Sequence, residues 1–182
     1  MTRLLFPTTF VVAALVSAHD VTAAPAFAGR DTIPPALSTF SAEHAALLGG
    51  FSDMMRRAVA PAASRADREL LVRYLRSAVL PHAQNEELVL YPALDSVLGT
   101  RGYATATMVL DHRTIARLTI ELSGLAEGEP QVFRDKALIV QALVESHFAK
   151  EEDFVLPNLA RKMGDRELRA LLARMESENV SH

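Results

Sequence analysis

Apolar side chains recur every three or four positions along most of the chain after residue 34, the spacing that places them on one face of an α-helix. Proline and glycine interrupt this pattern and divide it into four long segments and one short segment. No segment shows the strict alternation of a β-strand. The predicted helices cover residues 37–60, 64–98, 104–125, 130–162 and a short stretch after Gly164.

Short loops join the four long segments, and short loops favour antiparallel neighbours. The sequence therefore predicts an all-α protein, an up-down antiparallel four-helix bundle over residues 31–163. A short fifth helix and tail follow over residues 164–182. Pro81 and Pro92 lie inside the second predicted helix, where we expect kinks.

Helical spacing also assigns individual side chains to the inside or outside of the bundle. It places Ala78 of the second helix and Phe154 of the fourth among the inward positions. It places Arg68, with three other arginines of the second helix, on a broad exposed face.

The first 30 residues differ from the rest of the chain. Arg3 precedes an apolar run from Leu4 to Ala18, and small residues of the kind found at signal cleavage sites follow it. This pattern predicts a secretory signal peptide, the alternative being a disordered extension. A cleaved signal would place the protein in the periplasm or outside the cell, without stable membrane insertion; otherwise we expect a cytoplasmic protein.

Composition narrows the chemistry that the chain can support. The 182 residues carry a formal net charge of −3, which gives no reason to expect a nucleic-acid partner. There is no cysteine, which excludes thiol, disulfide and iron–sulfur chemistry. Any metal must bind through His, Asp, Glu or water, and such ligands suit iron, manganese or zinc.

One motif occurs twice and carries the chemical signal. The first copy begins at His82 and the second at His147, and both have the form H-x-x-x-E-E-x-x-x-x-P-x-L. Helical residues four positions apart lie on the same face, with Cβ atoms roughly 5–6 Å apart. His82 with Glu86, and His147 with Glu151, can therefore reach one metal ion or two adjacent ions.

Two further histidines complete an internal repeat. Glu43-His44 lies in the first predicted helix and Asp111-His112 in the third, and all four histidines fall on apolar helix faces. Burying these imidazoles and carboxylates without partners would cost free energy. A metal centre removes that conflict, because neutral imidazoles and ionised carboxylates become its ligands.

The arrangement resembles the hemerythrin-like HHE cation-binding family. The resemblance rests on Glu43-His44, residues 81–92, Asp111-His112 and residues 147–157. It implies a four-helix bundle that holds a non-haem di-iron centre, bridged by carboxylate and by oxo or hydroxo groups, and able to bind or react with dioxygen. By this analogy the metal ligands are His44, His82, Glu86, His112, His147 and Glu151.

The chain departs from oxygen-carrying hemerythrins at one position. Those proteins have a fifth histidine one turn after the histidine of the third helix, where this chain has Ala116. We expect one metal to keep an open or water-filled position. Glu43, Asp111, Glu87 or Glu152 would be the extra ligands that could compensate, although Glu87 and Glu152 should point aside from the ligand face.

Three functional hypotheses are compatible with this pattern. The first is a di-iron protein that binds or senses dioxygen, nitric oxide or peroxide, or that handles iron. The second is a di-iron oxidase, peroxidase or nitric-oxide-reducing enzyme, and the third is a metal-free helical interaction module. No separate proton-transfer residue can be named from the sequence. Tyr91 could donate a hydrogen bond at the centre or act as a redox-active phenol, but packing beside Pro92 is the favoured role. A metal- and oxygen-binding protein is therefore favoured over a dedicated enzyme, and the sequence does not indicate the oligomeric state.

Overall fold

The computed structural model describes residues 34–179, and these residues form helices and no β-strand. This confirms the predicted all-α class. The predicted signal segment, residues 1–30, lies outside the described residues. We number the helices α1 (Pro35–Ala58), α2 (65–98), α3 (Ala106–Leu125), α4 (130–162) and α5 (Asp165–Asn179).

Helices α2 and α4 are continuous but change pitch. The α-helical parts of α2 are Arg65–Tyr74, Leu80–Asn85 and Tyr91–Leu98, separated by π-helical turns over Leu75–Val79 and Glu86–Leu90. Helix α4 is α-helical over Pro130–Lys150 and Leu156–Lys162, with a π-helical turn over Glu151–Val155. Two of these three wide turns therefore begin at the glutamates of the repeated motif.

A proline follows each wide turn by two residues, and its chemistry accounts for the turn. In the second turn, for example, the N–H of Tyr91 donates to the carbonyl of Glu86, five residues back, and Pro92 comes next. Proline has no N–H, and its ring crowds the carbonyl four residues before it. A turn with one extra residue relieves that crowding without ending the helix.

The wide turns also change which side chains face inward. Val79 is buried and the predicted Ala78 is only half-buried. Phe154 was predicted to point inward, but its side chain is 41% exposed whereas Val155 is fully buried. The prediction for Phe154 was wrong because it assumed 3.6 residues per turn through a segment that has more.

Two apolar clusters occupy the interior along the helix axes. One surrounds Phe51, Leu122 and Phe133, and the other surrounds Phe40, Leu90 and Leu159. The second cluster includes buried residues of α5, which packs on α1 and α2. Along α1, α2 and α3 the histidine falls between the residues of the two clusters, and along α4 His147 lies next to Phe148, the last α4 residue of the first cluster.

Contacts link the long helices in neighbouring pairs. Helix α1 packs against α2 and α4, and α3 packs against α4 and α2. Arg68 also joins elements, since its guanidinium donates to the backbone carbonyls of Ala126 and Ala63 at 2.9 and 3.0 Å. Arg68 is therefore buried, which corrects its predicted exposed position. None of the described helices combines the length and the apolar composition that crossing a membrane requires.

Candidate metal centre

The six residues predicted as ligands come together in one buried layer. Each of α1 to α4 contributes one histidine, because each helix carries its histidine on the face that packs inward. Glu86 and Glu151 project from the same faces one turn after a histidine, and both are fully buried. The histidines that surround them are at most 5% exposed, and they are His44, His82, His112 and His147.

Two groups of three residues have the geometry of a metal site. The first is His44, His82 and Glu86, and the second is Glu86, His112 and His147. Within each group one ligand atom from each residue lies within 4.8 Å of the others. Glu86 belongs to both groups, so the arrangement suits two adjacent ions that share a carboxylate.

The two oxygens of Glu86 divide between the two groups. Oε1 lies 2.7 Å from His82 Nε2 and 3.4 Å from His44 Nε2. Oε2 lies 3.3 Å from His112 Nε2 and 3.8 Å from His147 Nε2. A carboxylate in this position can give one oxygen to each of two ions.

Glu151 reaches both groups with only one of its oxygens. Its Oε2 lies 3.6 Å from His44 Nε2 and 3.5 Å from His147 Nε2. Its Oε1 accepts a hydrogen bond from the hydroxyl of Tyr91 at 2.7 Å. The two glutamates, which occupy equivalent positions in the repeated motif, are therefore held differently.

Tyr91 brings a hydroxyl into the centre, whereas the sequence favoured a packing role beside Pro92 over a hydrogen-bonding one. Besides Glu151, the hydroxyl lies 3.3 Å from His112 Nε2 and 3.5 Å from His147 Nε2. The wide turn that begins at Glu86 carries Tyr91 to the inward face. The sequence signal is its place immediately before the motif proline, where the second copy has Leu156, so only one copy supplies a hydroxyl.

Several buried polar atoms of the centre have no hydrogen-bond partner. Although His82 Nε2 and Glu86 Oε1 lie close together, neither makes a hydrogen bond of acceptable geometry. Such atoms cost free energy unless a further group binds them. The unpaired central atoms are His44 Nε2, His82 Nε2, both oxygens of Glu86 and Oε2 of Glu151. These nitrogen and oxygen donors fit a first-row transition metal of the iron, manganese or zinc type.

The pKa values of the two buried glutamates are shifted in opposite directions. Burial alone would raise the pKa of Glu86, but the charge of His82 and the nearness of the other three imidazoles hold it well below its usual value. Burial, followed by the nearby charge of Glu86, raises the pKa of Glu151 well above its usual value. Burial lowers the pKa of His82, but Glu86 and Glu43 outweigh it and raise that pKa to about 9. Binding a cation here must therefore displace protons.

Two carboxylates reach from one helix pair to the histidines of the other, the pairs being α1 with α2 and α3 with α4. Glu152 of α4 lies 2.7 Å from Nδ1 of His44 in α1. Glu87 of α2 lies 2.8 Å from Nδ1 of His112 in α3. Ser41 also donates to the second oxygen of Glu152, at 2.8 Å. These contacts tie the two helix pairs together at the level of the centre.

One further carboxylate acts within each helix pair. Glu43 lies 3.3 Å from Nδ1 of His82, and Asp111 lies 3.6 Å from Nδ1 of His147. All four outer carboxylates, which the sequence had offered as extra metal ligands, face the Nδ1 side of an imidazole and belong to neither metal group. An acceptor at Nδ1 fixes the tautomer that leaves Nε2 free for a metal.

A small apolar cavity borders the centre on the side of His82, His112 and His147. Its volume is about 10 Å³, close to the minimum that holds one water-sized molecule. Glu86 also lines it, and its remaining walls are aliphatic and aromatic, with Ile115 and Phe148 among them. Ala116, the position predicted to leave a ligand site open, is half-buried and does not line this cavity.

Comparison with known proteins identifies the family to which this centre belongs. The chain matches no curated protein and no solved structure. A family model described as the hemerythrin HHE cation binding domain matches residues 36–135, more than half of the chain. The matched segment contains His44, His82, Glu86 and His112, whereas His147 and Glu151 lie beyond it. The chain thus belongs to the hemerythrin HHE cation binding domain family.

Proposed function

We propose that this protein holds a non-haem di-iron centre that binds or senses dioxygen or a related small molecule such as nitric oxide or peroxide, or that handles iron. The observation that carries the proposal is the pair of three-residue groups that share Glu86. Four imidazoles would be terminal ligands, and Glu86 would bridge. Glu151, whose Oε2 faces both groups, would be the second bridging carboxylate.

We further propose that the four long helices run up-down around this centre. The order in which each helix meets the two apolar clusters supports this topology. Helix α1 runs from the cluster of Phe40 to the cluster of Phe51, and α2 runs back from Leu75 to Leu90. Helices α3 and α4 repeat this alternation. Neighbouring helices would therefore be antiparallel.

The surroundings of the centre favour a small, weakly polar ligand. When bound, iron with nitrogen and oxygen ligands supplies an electron-rich centre with a position for a diatomic molecule or peroxide. The chain contributes the enclosure, since the cavity beside His112 and His147 admits about one water-sized molecule and, apart from the candidate ligands, is walled by apolar side chains. Larger substrates would not fit this space.

Metal analysis tests the proposal directly. The purified protein would be loaded with ferrous iron without oxygen, freed of excess metal and analysed for iron, and its optical spectrum would be recorded before and after oxygen is admitted. We expect two irons per chain and an absorption change on oxygenation. His147→Ala should lose metal, whereas Glu145→Ala, an exposed change on the same helix, should not. Less than one metal per chain, unchanged by His147→Ala, would contradict the proposal.

Tyr91 favours one alternative, a di-iron enzyme that reduces peroxide or nitric oxide or acts as an oxidase. Such chemistry needs a proton source near the reacting molecule. The phenol of Tyr91 is positioned to hold a proton between Glu151 and the imidazoles of His112 and His147. Consumption of peroxide or nitric oxide by many equivalents per iron-loaded chain would support this alternative, and binding of a single equivalent would exclude it.

A further inference from the structure

The four outer carboxylates do not hold their histidines equally. Three of the Nδ1 atoms have a carboxylate oxygen at 2.7 to 3.3 Å. The fourth, His147 Nδ1, lies 3.6 Å from Asp111 Oδ2 and is buried without a hydrogen-bond partner. Lys150 competes for this carboxylate, since its Nζ lies 2.5 Å from the same Oδ2 atom.

The internal repeat provides a comparison within the molecule. In the first copy, Glu43 takes the place of Asp111 and His82 that of His147. Asn85, which is neutral, stands where the second copy has Lys150. Within the described residues no lysine or arginine lies within ion-pair distance of Glu43. The competing cation is therefore a feature of the second copy only.

The chemistry of imidazole ligands links this asymmetry to metal affinity. A metal on Nε2 requires the proton to be on Nδ1, and that proton must be donated to an acceptor. An ionised carboxylate as acceptor orients the ring and raises its basicity toward the metal. An ammonium group that engages the same oxygen weakens that acceptor and keeps it away from the ring. His147 should therefore be the most weakly held of the four ligands.

We propose that Lys150 is a positioning residue that makes the half of the centre containing His112 and His147 the weaker of two metal positions. The half with His44 and His82 then fills first, and the second ion is the exchangeable one. This inference rests on the proposed two-metal centre. It adds an order of filling and names the residue that sets it.

Zinc is a suitable probe because it is diamagnetic and accepts imidazole and carboxylate ligands. The full chain would be titrated with Zn²⁺ while the ring nitrogens of its histidines are followed by ¹⁵N NMR, and both stepwise affinities would be measured with a competing chelator. In the wild-type protein we expect the first equivalent to shift the signals of His44 and His82. The second equivalent should shift those of His112 and His147, with an affinity at least about tenfold weaker.

Two substitutions separate the action of Lys150 from a general effect of charge. Lys150→Met should raise the affinity of the second step about tenfold, because Asp111 is released to His147. Asp111→Ala should lower it about 10- to 100-fold and leave the first step unchanged. In the Asp111→Ala background, Lys150→Met should have no further effect. Lys136→Met is the matched control, since Lys136 is also an ion-paired lysine of α4 but contacts Glu121 instead.

The outcomes distinguish this inference from the proposed function. Wild-type protein that binds no zinc and no iron would overturn the metal centre and this inference with it. Two ions bound with the His112 and His147 signals shifting first would overturn only the order of filling. Equal effects of Lys150→Met and Lys136→Met, or a Lys150→Met effect that persists in Asp111→Ala, would overturn the role of Lys150 and leave the centre standing.

Discussion

At the scale of single residues, Glu86 is the group on which the centre depends most. Its two oxygens lie within 3.8 Å of the Nε2 atoms of all four histidines. Its low pKa means that it remains an anion, although it is fully buried. A buried anion without a fixed partner is costly, so the four imidazoles and any bound cation are its compensation.

The hydroxyl of Tyr91 gives a prediction that separates binding from turnover. The Tyr91→Phe variant keeps the ring, which stacks on His112 with centroids 5.5 Å apart, and removes only the hydroxyl. Iron content should therefore stay at the wild-type level. If the protein is an enzyme, the rate of peroxide or nitric-oxide reduction should fall about 100-fold or more, because the proton source is lost.

Tyr74→Phe is the control for Tyr91→Phe. It also removes a hydroxyl, but one that donates to the backbone carbonyl of Leu47 at 2.9 Å, away from the centre. It should leave iron content and any turnover unchanged. Turnover by Tyr91→Phe at the wild-type rate would show that the phenol is not the proton source.

The shared site of each histidine–glutamate pair could be predicted from the sequence, because the spacing within one helix determines which side chains lie on the same face. A histidine and a glutamate four residues apart share a face whatever the neighbouring helices do. The partners of the Nδ1 atoms lie on other helices or other turns, and their choice depends on packing. For this reason Glu87 and Glu152 were expected only to point aside, and the contact of Lys150 with Asp111 was not foreseen.

At the scale of helices, the π-helical turns before Pro92 and Pro157 set the orientation of the side chains near each proline. The turn that begins at Glu86 brings Tyr91 to the centre, and the turn that begins at Glu151 leaves Phe154 exposed. The extents of the helices could be predicted from apolar spacing and from proline and glycine. The extra residue in each wide turn could not be predicted, because a regular period of 3.6 residues contains no signal for it.

Two neighbouring glycines in α1 provide a prediction about helix packing. A Cβ atom at Gly50 would overlap the hydroxyl of Tyr74 in α2, whereas a Cβ atom at Gly49 would meet nothing within 4 Å. Gly50→Ala should destabilise the protein by about 1–3 kcal/mol, because Tyr74 must shift and lose its bond to Leu47. Gly49→Ala should stabilise it by about 0.5–1 kcal/mol, because alanine is the better helix former.

Urea-induced unfolding of the metal-free protein measures both changes against the wild-type free energy of unfolding. The two variants share a helix and a chemical change, so their difference isolates the contact with Tyr74. Equal effects of the two substitutions would mean that α1 and α2 do not approach each other at Gly50 as described.

At the scale of the whole molecule, a polar layer lies between two apolar clusters. The clusters hold the helices together on either side of the centre, and the layer itself contains buried carboxylates. In the metal-free protein, the free-energy cost of burying these carboxylates is therefore not offset by a cation. Metal binding and global stability should be linked.

Metal addition and removal test that link. A metal at 100 times its dissociation constant should stabilise the folded state by about 2.7 kcal/mol. For a chain of this size that corresponds to a rise in Tm of roughly 5–10 °C. A chelator should reverse the rise, and the rise should be smaller in His147→Ala. A Tm that is indifferent to iron, zinc and chelator would instead favour the metal-free interaction module.

The carboxylates that connect the two helix pairs have a consequence for the speed of metal capture. Glu152 orients His44, and Glu87 orients His112, through contacts that involve no metal. The Nε2 atoms of these rings therefore face the centre in advance, and an arriving ion does not have to gather them from many rotamers. Little of the binding free energy is then spent on ordering side chains. The rate of loading would be limited by loss of water from the ion and of protons from the site, rather than by rearrangement of the helices.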